Sequence, residues 1–195
     1  MRLLRQEELL PLDRLEILDV GCGDGWQLLQ FEHWGARPEK LAGIDLIQAR
    51  VNRACARFAG CAPGAGPRLQ VGDASNLPWP SASFDLTYQG TVFSSVLDPD
   101  MKRAMAREIV RVLRPGGTLI WYDFFFDNPA NPAVRGIGAP EIRALFPDCA
   151  VRLQRVTLAP PLARRLVPVT WIGSVLLERM ALLNTHYMGV IRKPS

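Results

Sequence analysis

Histidine is scarce in this chain, with two in 195 residues, and its four cysteines form no CxxC pair. Cys22, Cys55, Cys61 and Cys149 also stand without a histidine at zinc-ligand spacing, so no metal site is expected and they read as isolated reduced thiols. No uninterrupted run of about 18 apolar residues occurs, which argues against a membrane-spanning helix. The nearest approach, residues 166–183, is broken by Pro168, Glu178 and Arg179. The start of the chain, MRLLRQEELLPLDRLEIL, mixes acidic residues among apolar ones and lacks the h-region of a secretory signal, from which a cytoplasmic location is expected. No block of one charge is present either. The 23 basic residues, nearly all Arg, and 19 acidic ones are scattered, so no nucleic-acid partner is expected. Internal repeats and low-complexity tracts are also missing. What remains is 48% hydrophobic and 22% charged, the make-up of an ordinary globular chain with a real core, and the length suits one domain.

From residue 15 onward, short apolar runs alternate with helix-like segments, the pattern of βα units around a parallel sheet. Strands are expected at 15–20, 40–46, 68–73, 84–90 and 118–125, with helices at 26–34, 47–59 and about 99–113, the last starting at Pro99. The Pro115-Gly116-Gly117 stretch separates that helix from the fifth strand. Residues 127–140 are too rich in Pro, Gly and Asn for regular structure, and a short helix follows over 140–146. The rest reads as a strand at 151–158, an apolar helical insert at about 161–183 and a last strand at 185–193.

DVGCGDGW, residues 19–26, places Gly21, Gly23 and Gly25 between a strand and a helix, where a side chain would block close backbone approach to a ligand. Two ligand classes compete for such a turn. A dinucleotide fingerprint, GxGxxG, seats a pyrophosphate on the helix N-terminus. Here the third glycine comes one residue early and Trp26 occupies its place. Asp19 and Asp24 also add negative charge that would repel a pyrophosphate, so a cationic ligand suits the turn better.

ILDVGCGDG resembles motif I of the class I, Rossmann-like S-adenosylmethionine-dependent methyltransferases, and later segments follow that family's order. Asp45, about 20 residues beyond the turn, matches the acid placed at the two ribose hydroxyls, and a carboxylate can accept from both. Nucleotide dehydrogenases use a similar acid, so Asp45 alone does not separate the two classes. GDASNLPWPSASFDL (72–86) resembles the segment whose Asp approaches the adenine amino group, which puts Asp73 and Ala74 at the base; Leu77, Pro78, Phe84 and Asp85 also comply. REIVRVLRPGGTLIW (107–121) resembles the family's helix, turn and fifth strand. The resemblance covers residues 15–125 and is nearest the ubiquinone/menaquinone-type branch.

It implies an α/β, doubly wound, mostly parallel seven-stranded sheet with the last strand antiparallel, as one domain over 1–195 with a helical insert between the last two strands. It further implies methyl transfer with S-adenosylmethionine as cofactor and S-adenosylhomocysteine as product. The residues it places at the cofactor are Asp19, Gly21, Cys22, Gly23, Gly25, Asp45, Leu46, Asp73, Ala74, Gln89 and Gly90.

A small-molecule acceptor should lie at the carboxyl edge of the sheet, facing the loops after the fourth, fifth and sixth strands. Acceptor candidates are therefore Phe93, Asp127, Asn128, Arg135, Trp171 and Tyr187, with Thr91, Val92, Asp123 and Asn131 nearby. His186, at the start of the last strand, is the first choice of base, against a hydrogen-bonded structural histidine. Asp and Asn in the 127–140 loop also suit plain turn formation. Only about 14 residues precede the first strand, so the insert, with Trp171, Ile172 and Met180, reads as a lid over an apolar or amphipathic acceptor, as a partner or membrane-surface helix, or as core. The alternatives to an enzyme on a small molecule are a non-catalytic cofactor-binding subunit of a partner methyltransferase and, disfavoured by the fingerprint, a nicotinamide-dependent oxidoreductase.

Overall fold

Strands that are apolar along their whole length belong in a sheet covered on both faces. The first two strands behave this way: β1 (Ile17–Val20) and β2 (Leu41–Asp45) are buried at every position, Asp19 and Asp45 included. In the computed structural model, which describes residues 2–60, 64–127, 131–158, 170 and 184–195, they join β3 (Arg68–Val71), β4 (Phe84–Gly90), β5 (Leu113–Phe124), β6 (Ala150–Leu158) and β7 (Asn184–Arg192). The order is β3-β2-β1-β4-β5-β7-β6. β1 to β5 run parallel, and β7 lies antiparallel between β5 and β6. The order reverses between β1 and β4, and a ligand crevice opens beyond the carboxyl ends of strands at such a point.

The described α-helices are α1 (Arg2–Gln6), α2 (Trp26–His33), α3 (Gln48–Arg57), α4 (Pro99–Val112) and α5 (Ala139–Leu145). The helix α4 begins as its sequence dictates, with the Asp98 carboxylate accepting from Asp100 N and Pro99 in the first turn. One core joins α4 and α5 to the sheet through Trp121, Phe93 and Phe146, whose rings lie within 4.8–6.4 Å of one another. The other face packs Leu28 and Phe31 of α2 and Leu4 of α1 against Ile17, Leu86 and Ile120.

Element limits differ from the expected ones mainly at β5, which begins at Leu113 rather than 118. Leu113 pairs with Phe84 and Thr118 with Leu86, so the Pro-Gly-Gly stretch sits in a register shift within the strand. Helix α1 has no counterpart in the periodicity. Its C-terminal end is fixed by Glu7, which is buried and paired with Arg152 of β6 and Arg192 of β7. Apart from Thr170, the expected insert at 161–183, with Trp171, Ile172 and Met180, and Asn128 of the preceding loop lie outside the described residues.

Candidate cofactor and acceptor site

The turn after β1 is shaped by backbone hydrogen bonds that only glycine conformations allow. Gly21 (φ 72°) and Cys22 both donate to Ile44 O, at 2.8 and 2.9 Å, which pins the turn across the end of β2. A Cβ on Gly21 would overlap Val92 Cγ2. Gly23 (φ 51°) faces open space, with nothing within 4 Å of where its Cβ would be. Gly25 serves packing instead, since a Cβ there would sit 3.0 Å from Ala54 Cβ of α3.

That open space is a cavity of about 640 Å³, within the usual ~300–1,000 Å³ of small-molecule sites. Gly21 and Gly23 form one wall, and Asp45, Leu46, Ile47 and Arg50 enter from the end of β2 and α3. Gly72, Asp73 and Ala74 follow β3; Gly90, Thr91 and Val92 follow β4; Met101 and Met105 of α4 close the side. Each Asp45 oxygen takes one backbone donor, Oδ1 from Ile47 N at 2.9 Å and Oδ2 from Gly23 N at 3.0 Å. Lone pairs remain on both for a diol. Arg50 Nη1 lies 3.9 Å from Oδ2 and partly offsets the charge. Asp73 is oriented by Ser75 N, which donates to its Oδ1 at 2.8 Å. Leu46 and Ile47 are 68% and 46% exposed, unusual for such residues and suited to covering a flat base.

Asp19 lies on β1 beside this cavity rather than in its wall. Burial first, and the nearby Asp45 charge second, push its pKa up to about 8. Asp24 does not add the free negative charge expected of it. Arg53 binds it at 3.0 Å and holds its pKa below the usual range, while Arg57 donates to its carbonyl and stacks on Trp26.

Several expected site residues point elsewhere. The Cys22 thiol turns into the α2 core beneath Gly43, and burial raises its pKa, so only its backbone is at the turn. Gln89 is buried and its Oε1 accepts from Val92 N, which supports the loop from below. Phe93 is fully buried in the aromatic cluster with Trp121, because the 3₁₀ turn Phe93–Ser95 folds it under the sheet edge; it is core, not acceptor wall. Asp123 holds that turn by accepting from Ser94 N at 3.2 Å. Asp127 and Asn131 accept from Gly136 N and Ala133 N, as turn residues do. Arg135 is exposed, and its backbone N–H ties the loop to Ser94 O. Tyr187 packs on Phe125 at 4.8 Å. His186 is buried between rings, stacked on Tyr122 at 4.6 Å and 5° and tilted against Phe124 at 4.0 Å.

Residues without a sequence signal also contribute. Arg50, Ile47, Met101 and Met105 reach the cavity because helices α3 and α4 start at its rim, and no spacing in the sequence shows that. Thr91 keeps φ 57°, held by its N–H donating to Tyr122 O at 2.7 Å, so a strained residue borders the site.

A 2′,3′-diol, a base and an amino acid tail need what these residues offer: Asp45 for the hydroxyls, Asp73 with Leu46 and Ile47 for the base, and a glycine wall that a tail can approach. Residues 18–121, more than half of the chain, match the family described as a methyltransferase domain. An O-methyltransferase of Penicillium expansum, cnsE, is 34% identical over 62% of this chain and 42% of its own length. The sterol 4-C-methyltransferase strm-1 of Caenorhabditis elegans is 30% identical over 63% of this chain and 35% of its own. The chain therefore spans less than half of either relative. An S-adenosylmethionine-dependent methyltransferase from Mesorhizobium loti superposes with a TM-score of 0.68 at 20% identity, over 98% of this chain and 96% of its own, a likeness of fold. The chain belongs to the methyltransferase-domain family, and S-adenosylmethionine is the cofactor that its switch-point residues fit.

Proposed function

We propose that the chain transfers a methyl group to a small, apolar or amphipathic acceptor. The observation that carries this reading is the convergence of Gly21, Gly23, Asp45 and Asp73 on one cavity at the switch point. S-adenosylmethionine supplies a methyl already activated by the sulfonium charge. The chain's own tasks are alignment, exclusion of water and management of one proton. Asp45 holds the ribose, Asp73 and Leu46 the base, and Asp19, once ionised, favours an ammonium group by its charge from beside the cavity rather than by contact. The relatives named above act on oxygen and on carbon, one of them on a sterol, which supports an apolar acceptor and leaves its atom open.

His186 is the base in this proposal, and its hydrogen bonds set the tautomer. Thr185 Oγ1 donates to Thr157 O at 3.2 Å, so it must accept from His186 Nδ1–H at 2.8 Å. The Nε2 lone pair is then the basic one. Burial holds the ring pKa below 6.5, which keeps it neutral at pH 7. A hydroxyl acceptor would give its proton to Nε2 as the methyl moves. Because the base works unprotonated, kcat/KM for the acceptor at saturating S-adenosylmethionine should fall as pH drops through a value under 6.5. In His186→Gln, kcat should fall roughly 100-fold or more while S-adenosylhomocysteine affinity stays within about twofold. An unchanged kcat would remove His186 from the chemistry.

The donor half is tested by calorimetry with S-adenosylhomocysteine and with a nicotinamide dinucleotide. Binding of the first alone supports the proposal, and binding of the dinucleotide alone overturns it. Methylation of any acceptor by the purified chain would exclude the role of a non-catalytic subunit.

A further inference from the structure

A second cavity, of about 280 Å³, lies on the α1/α2 face of the sheet. Leu3 and Leu4 of α1, Phe31 and Trp34 at α2, and Ile120 and Met188 of the sheet line it. Gln27, Tyr88 and Tyr122 are its polar-tipped members. Its volume holds roughly ten non-hydrogen atoms at the ~30 Å³ of a liquid water each. None of these residues takes part in the cofactor cavity.

Two links join this space to the reaction centre. Tyr88 forms its wall, edge-on to Phe31 at 6.0 Å, and the Tyr88 hydroxyl lies 2.7 Å from where a Cβ on Gly90 would be; Gly90 lines the cofactor cavity. Tyr122 lines the apolar space too, and His186 stacks on its ring. A molecule in this pocket thus has the cofactor side at one phenol, while His186 stands behind the other, outside the pocket's lining. The pocket wall contributed by α1 is held in place by Glu7, buried and paired with Arg152 and Arg192.

We infer that this cavity seats the apolar body of the methyl acceptor, a flat aromatic group of one or two fused rings, with Tyr88 positioning it at the boundary to the cofactor. Phe31, Trp34, Tyr88 and Tyr122 in its lining favour ring contacts at offset or edge-on geometry. Gln27 offers an amide to one polar substituent. The inference rests on the methyltransferase proposal and names the acceptor class for it.

The test is calorimetric titration of the whole chain with 2-naphthol, with and without saturating S-adenosylhomocysteine. The expected result is naphthol binding that persists when S-adenosylhomocysteine is bound, and that weakens roughly tenfold or more in Leu3→Trp, which fills the space. In that variant S-adenosylhomocysteine affinity should remain within about twofold. If Leu3→Trp does not fold, Gln27→Trp, from half-buried α2, fills the same volume. Naphthol binding that S-adenosylhomocysteine displaces, or that the filling variants leave unchanged, overturns the inference. Wild-type chain that binds naphthol but no S-adenosylhomocysteine would instead sink the methyltransferase proposal.

Discussion

Two residues at the first turn carry separable predictions. In Gly21→Ala the new Cβ meets Val92 at a φ of 72°, a conformation that costs an L-residue about 1–2 kcal/mol even with space around it. Since Val92 lines the cavity, the loop after β4 must shift, and S-adenosylhomocysteine affinity should fall roughly tenfold or more by calorimetry. An affinity within twofold of wild type would show that the turn does not set the cavity wall. Asp19 is a matter of protonation. Its folded pKa of about 8 stands above the ordinary 3.8, so the fold favours the protonated acid. Stability from that raised value is full below about 3.8 and is lost progressively until pH passes about 8. The slope is at most about 1.4 kcal/mol per pH unit. Urea unfolding at pH 5 to 8 should show a falling stability that Asp19→Asn lacks. A ligand ammonium favours the ionised form, so S-adenosylhomocysteine should bind more tightly as pH rises from 6 to 8 and release a proton in doing so. An equal pH slope in Asp19→Asn would move the effect to another group.

At the scale of elements, what the sequence shows and what it hides divide by the range of the interactions. β1, β2, β4 and α4 announce themselves through apolar runs, the Asp98–Pro99 helix start and the glycine turn, all of which are local. Gly21, Gly23 and the acids closing β2 and following β3 stand out for the same reason, since each ends or follows a strand, and the cavity gathers them; Gly25 packs on Ala54 instead. Phe93 reads as acceptor wall in the sequence and is core in the fold, since an aromatic residue after β4 reads alike whether its turn folds it inward or outward; the choice depends on Asp123, 30 positions away, through Ser94 N. Likewise α1 is too short for periodicity, and its anchor is 145 residues distant in Arg152. That anchor can be tested. Glu7 is buried while Arg152 and Arg192 are 69% and 47% exposed, so in Glu7→Gln both guanidinium groups return to water cheaply. The expected cost is about 0.5–1.5 kcal/mol, appearing as faster hydrogen exchange over residues 2–9 with the sheet unaffected. Exchange that accelerates equally in β5 and β7 would mean that α1 is part of the global unit instead.

For the whole molecule, the cavity draws its walls from both sides of the switch point, so its ligand should stabilise the sheet as one body. Gly21, Asp45 and Asp73 belong to the β1–β3 half, and Gly90 and Thr91 to the other. Backbone bonds carry the second half onward: Thr91 N donates to Tyr122 O of β5 at 2.7 Å, and Ser94 N to Asp123. β5 in turn pairs with β7 over seven register positions, from Thr118–Arg192 to Phe124–His186. A ligand that binds only the folded chain at 100 times its Kd adds about 2.7 kcal/mol. For a domain of this length that corresponds to a rise in Tm of about 5–10 °C. Saturating S-adenosylhomocysteine should therefore move a single melting transition by that amount, followed by circular dichroism and by tryptophan fluorescence. Of the five tryptophans, Trp121 on β5 reports the far half by itself once the other four are replaced by Phe. Coincident shifts in both signals are the expected outcome. A fluorescence transition that stays in place while the circular dichroism transition moves would mean that the β5–β7 half melts independently of the cavity, and that the bonds through Thr91 and Ser94 do not couple the two.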